Sequence, residues 1–206
     1  MPGTLITVEG IEGCGKSTQC ARLAESLRRS GYEVVTAREP GNTATGEAIR
    51  AIVLHSQDPI DATTEIFLYM AARAQLVAEL VQPALSRGAI VLLDRFLDST
   101  VAYQGGGRGR SIEQIHLLNR IAIGGRFPDR TFLIDIDVDT ALRRIGGRNP
   151  DRIEREPREF HERVRQVFRE LGRQFPSRIV ELDGACSIDE ISQLISVNVQ
   201  ALLNQS

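Results

Sequence analysis

The sequence predicts an α/β protein with a three-layer architecture, in which a five-stranded parallel sheet lies between helices. Short apolar runs alternate along the chain with longer amphipathic stretches, which is typical of strand–helix–strand units. Residues 89–93 are wholly apolar and precede Asp94, as in a buried parallel strand. A glycine-rich segment joins the first apolar run to the first amphipathic stretch. Because no internal repeat or long linker interrupts the chain, residues 1–206 are predicted to form a single domain.

Apolar periodicity assigns the elements in order along the chain. The predicted strands are residues 5–8, 34–36, 89–93, 131–136 and 178–182. The predicted helices are residues 16–29, 60–87, 97–103, 111–123, 139–145, 158–173 and 187–203. The longest helix is expected to bend or end near Pro83, because proline disrupts a helix interior. Residues 105–110, with the sequence GGGRGR, are expected to form a flexible loop.

The composition excludes several classes of protein. Of the 206 residues, 42% are hydrophobic and 25% are charged, and 25 basic against 27 acidic residues give a net charge of −2. We therefore expect neither a nucleic-acid nor a membrane partner. The cysteines Cys14, Cys20 and Cys186 are too few for a disulfide framework or a zinc site. No signal peptide and no apolar run of about 18 residues is evident, so we expect a cytoplasmic location.

Residues 10–17, with the sequence GIEGCGKS, match the phosphate-loop pattern G-x-x-x-x-G-K-[ST] between a predicted strand and a predicted helix. Glycines allow successive N–H groups to turn toward phosphate oxygens, and the helix N-terminus adds positive charge. Lys16, the only lysine in the sequence, is expected to reach the β- and γ-phosphates, and Ser17 to bind Mg²⁺. A glycine-rich turn that binds nothing is the alternative, which the combination of strand, spacing, lysine and serine disfavours.

The phosphate loop predicts that the protein binds a nucleoside triphosphate, but it does not indicate which reaction the nucleotide undergoes. The residues expected to contact the triphosphate are Gly10, Ile11, Glu12, Gly13, Cys14, Gly15, Lys16, Ser17 and Thr18. A GTPase would carry an Asn-Lys-x-Asp segment after a later strand, and this sequence has none. The length favours a small transferase over a motor or transporter ATPase.

Four further segments carry a resemblance to a known family. They are TAREPG at residues 36–41, AARAQ at 71–75, DRFLDSTVAYQGGGRG at 94–109 and DRIE at 151–154. In order and spacing they resemble the bacterial thymidylate kinases, which belong to the P-loop nucleoside monophosphate kinases. The resemblance extends from Leu5 to about Asp183. It implies a P-loop NTPase fold with a short lid, and transfer of the γ-phosphoryl group of ATP to dTMP with Mg²⁺, giving dTDP and ADP.

The acceptor in that reaction is already a phosphate oxygen, so catalysis requires positioning and positive charge rather than a strong base. Arg95 follows a buried strand and is expected at the carboxyl end of the sheet, where such folds bind ligands. By resemblance it contacts the dTMP phosphate; a structural pair with Asp94 is the alternative. Asp94 is also an additional candidate ligand for Mg²⁺. The expected catalytic residues are Lys16, Arg95 and Arg148.

The resemblance assigns the acceptor site to residues 36–41 and 69–109. It implies that Tyr69 stacks on thymine, that Arg73, one helical turn later, contacts base and phosphate, and that Tyr103 fills the space of a ribose 2′-hydroxyl. A core role for Tyr69 is the alternative. Phe96 and Asn42 stand where the family often has Tyr and Gly, so the polar contacts of those positions are not expected. The substrate-binding residues by resemblance are Glu12, Arg38, Pro40, Tyr69, Arg73, Arg95, Ser99, Thr100, Tyr103 and Gln104.

Glu12 is unusual because a carboxylate within a phosphate loop faces incoming phosphates. By resemblance to related kinases we expect it to accept a hydrogen bond from the deoxyribose 3′-hydroxyl; help in holding Mg²⁺ is the alternative. Pro40 and Gly41 fix a tight turn. The resemblance makes that turn one wall of the thymine pocket, with Arg38 near the acceptor.

Residues 146–157 are predicted to be a lid, because Gly-Gly and Pro150 interrupt helical periodicity directly after a predicted helix. Short arginine-bearing segments of this kind close over ATP and exclude water. In the subclass without a basic residue inside the phosphate loop, the lid supplies it, and residues 11–14 contain no cation. Arg148 is the candidate, with Arg144 and Arg152 as alternates.

Two other functions are compatible with the phosphate loop. One is a phosphotransferase with another nucleoside or nucleotide as acceptor, against which residues 94–109 argue. The other is a catalytically silent nucleotide-binding switch, which would not need Lys16, Ser17, Arg95 and a lid arginine together. The resemblance further implies a homodimer formed through helices that include residues 60–87.

The lid hypothesis predicts that Arg148→Ala lowers kcat by about 100-fold or more and leaves dTMP affinity nearly unchanged. The reason is that the arginine would act on the transferred phosphoryl group in the transition state rather than on bound dTMP. Steady-state kinetics at saturating ATP, with dTMP varied, measure both quantities. A variant with wild-type kcat would remove Arg148 from the catalytic residues.

Overall fold

A computed structural model of the protein describes residues 3–146 and 149–204. Its sheet has five parallel strands in the order β2-β3-β1-β4-β5. The strands are β1 (Thr4–Glu9), β2 (Val34–Arg38), β3 (Ile90–Asp94), β4 (Arg130–Asp135) and β5 (Ile179–Asp183). The predicted five-stranded parallel sheet is therefore confirmed. The central strand β1 lies between β3 and β4, where the strand order reverses direction, and such a switch point opens a crevice at the carboxyl ends of the strands.

Helices pack on both faces of the sheet. They are α1 (Lys16–Arg29), α2 (Ala44–His55), α3 (Ala62–Leu76), α4 (Gln82–Ser86), α5 (Leu97–Thr100), α6 (Ile112–Ala122), α7 (Val138–Ile145), α8 (Arg158–Gln174) and α9 (Ile188–Leu203). Helix α2 was not predicted; the Thr43 side chain caps it by accepting a hydrogen bond from the N–H of Gly46. Each described helix is too short or too polar to cross a lipid bilayer.

Two segments of π-helix interrupt the α-helices. The first, Val77–Val81, lies between α3 and α4, so the predicted helix 60–87 consists of three consecutive helical segments. Pro83 lies in the first turn of α4, where a missing N–H is tolerated. The second, Val101–Gly107, directly follows α5. Segments of π-helix are uncommon and are often found at functional sites.

The prediction of a flexible loop at residues 105–110 is wrong for its first three residues. Residues 105–107 belong to the second π segment, and Gly105 and Gly107 are buried. A Cβ atom on Gly106 would lie 2.7 Å from the side chain of Val167, and one on Gly107 would overlap the ring of Phe160. Here the glycines allow α8 to pack closely on the π segment, so they serve packing rather than flexibility.

The hydrophobic core lies on both faces of the sheet. Every residue of β1 is buried, and successive side chains of the strand point to opposite faces. Ile6 and Val8 pack with residues of α1 and α8, whereas Leu5 packs with residues of α4 and with Phe96. The sheet is therefore anchored on both sides, and the ends of its strands are held rigidly around the crevice.

Glu9, the last residue of β1, is fully buried and fixes the turn that follows β3. Its carboxylate accepts hydrogen bonds from the N–H of Phe96 at 2.7 Å and from the hydroxyl of Ser99 at 2.6 Å. In that turn Arg95 has a φ of 71°, a left-handed conformation that non-glycine residues rarely adopt. Burial, together with the negative charge of Asp98, raises the pKa of Glu9 to about 7, although the Ser99 hydrogen bond and Arg95 oppose the shift.

The raised pKa of Glu9 predicts a pH dependence of stability. The folded state binds more protons than the unfolded state between pH 4.5 and about 7, so Glu9 destabilises the fold as pH rises through that window. Since one pKa unit corresponds to about 1.4 kcal/mol, the change is on the order of 3 kcal/mol.

Glu9→Gln replaces the protonated carboxyl by an amide, so the variant is expected to show a flatter dependence of unfolding free energy on pH between 5 and 8. Urea titrations at several pH values measure it. Glu25→Gln, at an exposed position, is the matched control and should follow the wild type. If the Glu9→Gln and wild-type curves remain parallel across the window, Glu9 does not titrate there.

Candidate active site

A cavity of about 330 Å³ lies at the carboxyl ends of β1, β2 and β3. The phosphate loop forms one side of it, and α3 with residues 95–104 forms the other. It brings together most of the side chains predicted from the sequence. Those that line it are Glu12, Gly13, Lys16, Ser17, Arg38, Pro40, Tyr69, Arg73, Asp94, Arg95, Ser99, Thr100, Tyr103 and Gln104.

The other predicted residues lie elsewhere or outside the described part of the chain. Gly10, Ile11, Cys14, Gly15 and Thr18 belong to the phosphate loop or to α1 without lining the cavity. The side chains of Ile11 and Cys14 are buried in the core, so only their main chain is available to a phosphate group. Arg148 lies outside the described residues.

The phosphate loop is pressed against β4 and α7. Gly10 and Gly13 have positive φ values of 139° and 76°. A Cβ atom at either position would lie 2.5 Å from a carbonyl oxygen, of Ile134 for Gly10 and of Ala141 for Gly13. Only glycine fits such contacts, so the two glycines hold the loop in its turned conformation. The ammonium group of Lys16 lies within the loop and donates a hydrogen bond to the carbonyl oxygen of Ile11 at 2.8 Å.

Ser17 and Asp94 offer hard oxygen ligands beside the loop. The Ser17 hydroxyl donates a hydrogen bond to Oδ2 of Asp94 at 2.5 Å. Among the described residues no group of three or more His, Cys, Asp or Glu side chains is placed to hold a metal ion. Mg²⁺ commonly binds one or two protein oxygens and completes its shell with waters and phosphates, so this donor pair suits Mg²⁺ bound together with a nucleotide.

Arg95 forms the centre of a polar cluster beside the phosphate loop. Its guanidinium donates to the carbonyl oxygen of Gly10 and the hydroxyl of Ser99, both at 3.0 Å. It also donates to Glu12 at 2.8 Å and to the hydroxyl of Tyr103 at 3.2 Å. In the described part of the chain its ion pair is with Glu12, whereas Asp94 is bonded to Ser17. Arg95 therefore connects the phosphate loop to the π segment.

Glu12 is held in the ionised form by its neighbours. Burial disfavours its charge, but the positive charges of Arg95 and Lys16 and a hydrogen bond from Tyr103 outweigh burial and lower the pKa of Glu12. The Tyr103 hydroxyl donates to Oε2 of Glu12 at 2.6 Å. His161 of α8 lies next to this cluster, with Nδ1 3.9 Å from Glu12. The carboxylate at the edge of the cavity can therefore only accept hydrogen bonds.

Arg73 is almost entirely buried, and protein groups use all five of its N–H donors. It donates to Oε2 of Glu39 from Nε at 2.8 Å and from Nη2 at 2.5 Å, to the hydroxyl of Thr100 and to the side-chain oxygen of Asn119. The remaining donor reaches the carbonyl oxygen of Phe96 at 3.0 Å. Burial raises the pKa of Glu39 against the opposing charge of Arg73. Arg73 therefore builds the cavity wall, and a direct bond to a ligand requires that one of these bonds be exchanged or shared.

Several lining residues were not predicted. Arg50, on the unpredicted helix α2, donates to the carbonyl oxygen of Pro40 at 2.9 Å and adds a cation beside Arg38. Glu39 lies within the predicted acceptor segment 36–41, but the sequence predicted no separate role for it. From the predicted lid, Asp151 and Glu154 also reach the cavity. Recognising residues 44–55 as a helix, and noting the spacing of its charged side chains, would have been the way to find Arg50 from the sequence.

The alternate lid arginines point in different directions. Arg152 donates from Nε to the carbonyl oxygen of Val53 at 2.8 Å and pairs with Glu65 of α3. Arg144 donates to the carbonyl oxygen of Gly184, after β5, at 3.3 Å. In this structure Arg152 thus belongs to the α2–α3 side of the cavity, and Arg144 to the side of β5.

Comparisons with known proteins assign the chain to a family and agree with the fold. The family model "Thymidylate kinase" matches residues 8–195. A thymidylate kinase of Caldanaerobacter subterraneus subsp. tengcongensis is 42% identical over 203 residues, covering 98% of both chains. One of Pseudomonas fluorescens (strain Pf0-1) is 46% identical over 208 residues, covering 100% of this chain and 99% of its own.

A solved structure is also similar over nearly its whole length. The crystal structure of thymidylate kinase from Ehrlichia chaffeensis superposes with a TM-score of 0.81 at 32% identity, covering 97% of this chain and 99% of its own. Together with the phosphate loop and the cation-lined cavity, these similarities establish that the chain belongs to the thymidylate kinase family and is a phosphotransferase.

Proposed function

We propose that this protein transfers the γ-phosphoryl group of ATP to dTMP, with Mg²⁺, giving ADP and dTDP. The observation that carries the proposal is that one cavity is lined by Lys16 and Ser17 of the phosphate loop and by Arg95, whose guanidinium donates to the carbonyl oxygen of Gly10 in that loop. Relatives that carry the name thymidylate kinase are 42% and 46% identical over nearly the whole chain. In this proposal residues 1–206 form one domain, with the reaction centre between the loop and the lid.

At the donor end, the phosphate loop and the N-terminus of α1 supply N–H groups to the phosphates of ATP. Lys16 exchanges its bond to the Ile11 carbonyl for phosphate oxygens, because an ammonium group binds an anionic oxygen more strongly than a neutral carbonyl oxygen. Ser17 and Asp94 would hold Mg²⁺, which supplies positive charge to the phosphates when bound.

At the acceptor end, Arg95 holds the dTMP phosphate, with its guanidinium already oriented by Gly10 and Ser99. Positioning of this kind lowers the barrier between two anions that would otherwise repel each other. Glu12, which can only accept, takes a hydrogen bond from the 3′-hydroxyl. Because Tyr103 is bonded to Glu12, its ring lies beside the sugar and favours deoxyribose over ribose.

The remaining assignments extend this proposal. Tyr69 is half-buried on the same helix as Arg73 and lies on the side of the cavity assigned to thymine. The lid would bring Arg148, Arg144 or Arg152 to the transferred group. Exposed apolar side chains at Ile52 and Phe67, on the adjacent helices α2 and α3, support a homodimer through this face. Free thiols at all three cysteines support a reducing, cytoplasmic location.

A coupled ADP-release assay with ATP and Mg²⁺ tests the reaction and the acceptor together. With dTMP, dUMP, UMP, dCMP, AMP and thymidine compared in parallel, we expect turnover with dTMP to exceed all the others. Lys16→Met keeps the length of the side chain without its charge, so it should lower kcat/KM with dTMP by about 100-fold or more. Turnover confined to another acceptor would overturn the dTMP assignment, and binding of both nucleotides without ADP release would indicate a silent nucleotide-binding protein.

A further inference from the structure

Glu65 of α3 is completely buried beside the acceptor side of the cavity, and it has no part in the proposed reaction. Its Oε1 accepts hydrogen bonds from Nε2 of Gln104 at 2.7 Å and from Nε of Arg108 at 3.2 Å. Its Oε2 accepts from Arg152, and from Arg108 at 3.4 Å. Two guanidinium groups therefore fix the carboxylate, and the carboxylate in turn holds the amide of Gln104.

The ionised state of Glu65 decides which end of the Gln104 amide faces it. Burial disfavours the charge, but hydrogen bonds from Gln104 and Arg152 and the charge of Arg108 prevail and lower the pKa of Glu65. An ionised carboxylate only accepts hydrogen bonds, so it must face the NH₂ group of Gln104. The amide oxygen of Gln104 is then directed away from Glu65, and it accepts no hydrogen bond from the described residues.

Gln104 also lines the cavity, as do Tyr103 and, from α3, Tyr69 and Arg73. An amide oxygen that faces the cavity is a hydrogen-bond acceptor, so its partner must be a donor group on the bound ligand. Thymine and uracil carry a donor at N3, whereas cytosine carries an acceptor at N3 and an amino group at position 4. A buried acceptor that faces another acceptor loses its hydrogen bond without compensation, which makes this contact selective.

We propose that Glu65 is a positioning residue for acceptor specificity: by holding the Gln104 amide with its oxygen toward the cavity, it makes the site prefer bases with an N3–H over cytosine. The inference rests on the proposed function, because it assigns the base-reading side of the same cavity. Arg108 and Arg152 contribute by fixing the orientation of the carboxylate.

Glu65→Gln tests the orientation directly. Two guanidinium groups, those of Arg152 and Arg108, face the Oε2 position, whereas only Nε of Arg108 shares the Oε1 position with Gln104. The carbonyl oxygen of the new amide therefore stays at the Oε2 position and its NH₂ group faces Gln104, whose amide must then flip and present NH₂ to the cavity. We expect the ratio of kcat/KM for dTMP to that for dCMP to fall by about 10-fold or more. A merely structural role would lower both values together and leave the ratio unchanged, which would overturn the proposal.

Glu156→Gln is the matched control. Glu156 also pairs with Arg108, at 2.6 Å, so this variant removes one negative charge from the same guanidinium, but it does not touch Gln104. Whatever its effect on the rate, the dTMP:dCMP ratio should equal that of the wild type. An equal fall of the ratio in both variants would assign the effect to charge alone and contradict the proposed orientation.

Gln104→Leu keeps the test decisive if Glu65→Gln does not fold. Without the amide, the dTMP:dCMP ratio should fall by a similar factor, and adding Glu65→Gln in that background should leave the ratio where it is. An unchanged ratio in Gln104→Leu overturns the proposal. The wild type in the same assay separates the proposed function from the proposed role of Glu65. If the wild type does not turn over dTMP, the proposed function fails. If it prefers dTMP and these variants do not alter that preference, only the role of Glu65 is rejected.

Discussion

The buried ion pair between Arg73 and Glu39 is the constraint on which the acceptor side of the molecule depends. A guanidinium group is costly to bury unless each N–H finds a partner. Here the partners come from four separate parts of the chain: the turn after β2, the turn after β3, helix α5 and helix α6. None of these segments can move far without leaving a buried charge unpaired, so the cavity wall is assembled before any ligand binds.

The same arrangement recurs around the cavity. Glu12 is paired with Arg95, and Glu65 with Arg108 and Arg152; each carboxylate is buried or nearly so, and each guanidinium bridges elements that are distant in sequence. Arginine suits this task because its planar group donates in several fixed directions, whereas lysine carries a compact charge on a flexible chain. The only lysine of the sequence, Lys16, lies in the phosphate loop, where a mobile point charge follows the phosphates. We infer that arginines such as Arg73 and Arg108 build the walls, whereas Lys16, together with Arg95, serves the phosphates.

Periodicity and motif spacing predicted the parallel sheet, helix α1 and the phosphate loop, because these depend on local pattern. They did not predict α2, and residues 105–107 were misassigned because glycine signals both flexibility and close packing; only the contacts with Phe160 and Val167 distinguish the two. The buried carboxylates Glu9 and Glu65 could not be recognised either, since an acidic residue is ordinarily expected at the surface. Their partners are up to 90 residues away along the chain, so their roles depend on tertiary structure.

The most direct test of the preassembled wall is Arg73→Lys, with nucleotide binding measured by titration calorimetry and stability by urea unfolding. Lysine retains the charge but cannot supply five fixed donors, so we expect a loss of stability of about 1–3 kcal/mol for each buried acceptor that is left without a partner. We expect dTMP affinity to fall by about 10-fold or more, because the wall loses its order, while ATP affinity stays near that of the wild type, because the phosphate loop does not touch the pair. A variant with wild-type stability and wild-type dTMP affinity would contradict the account.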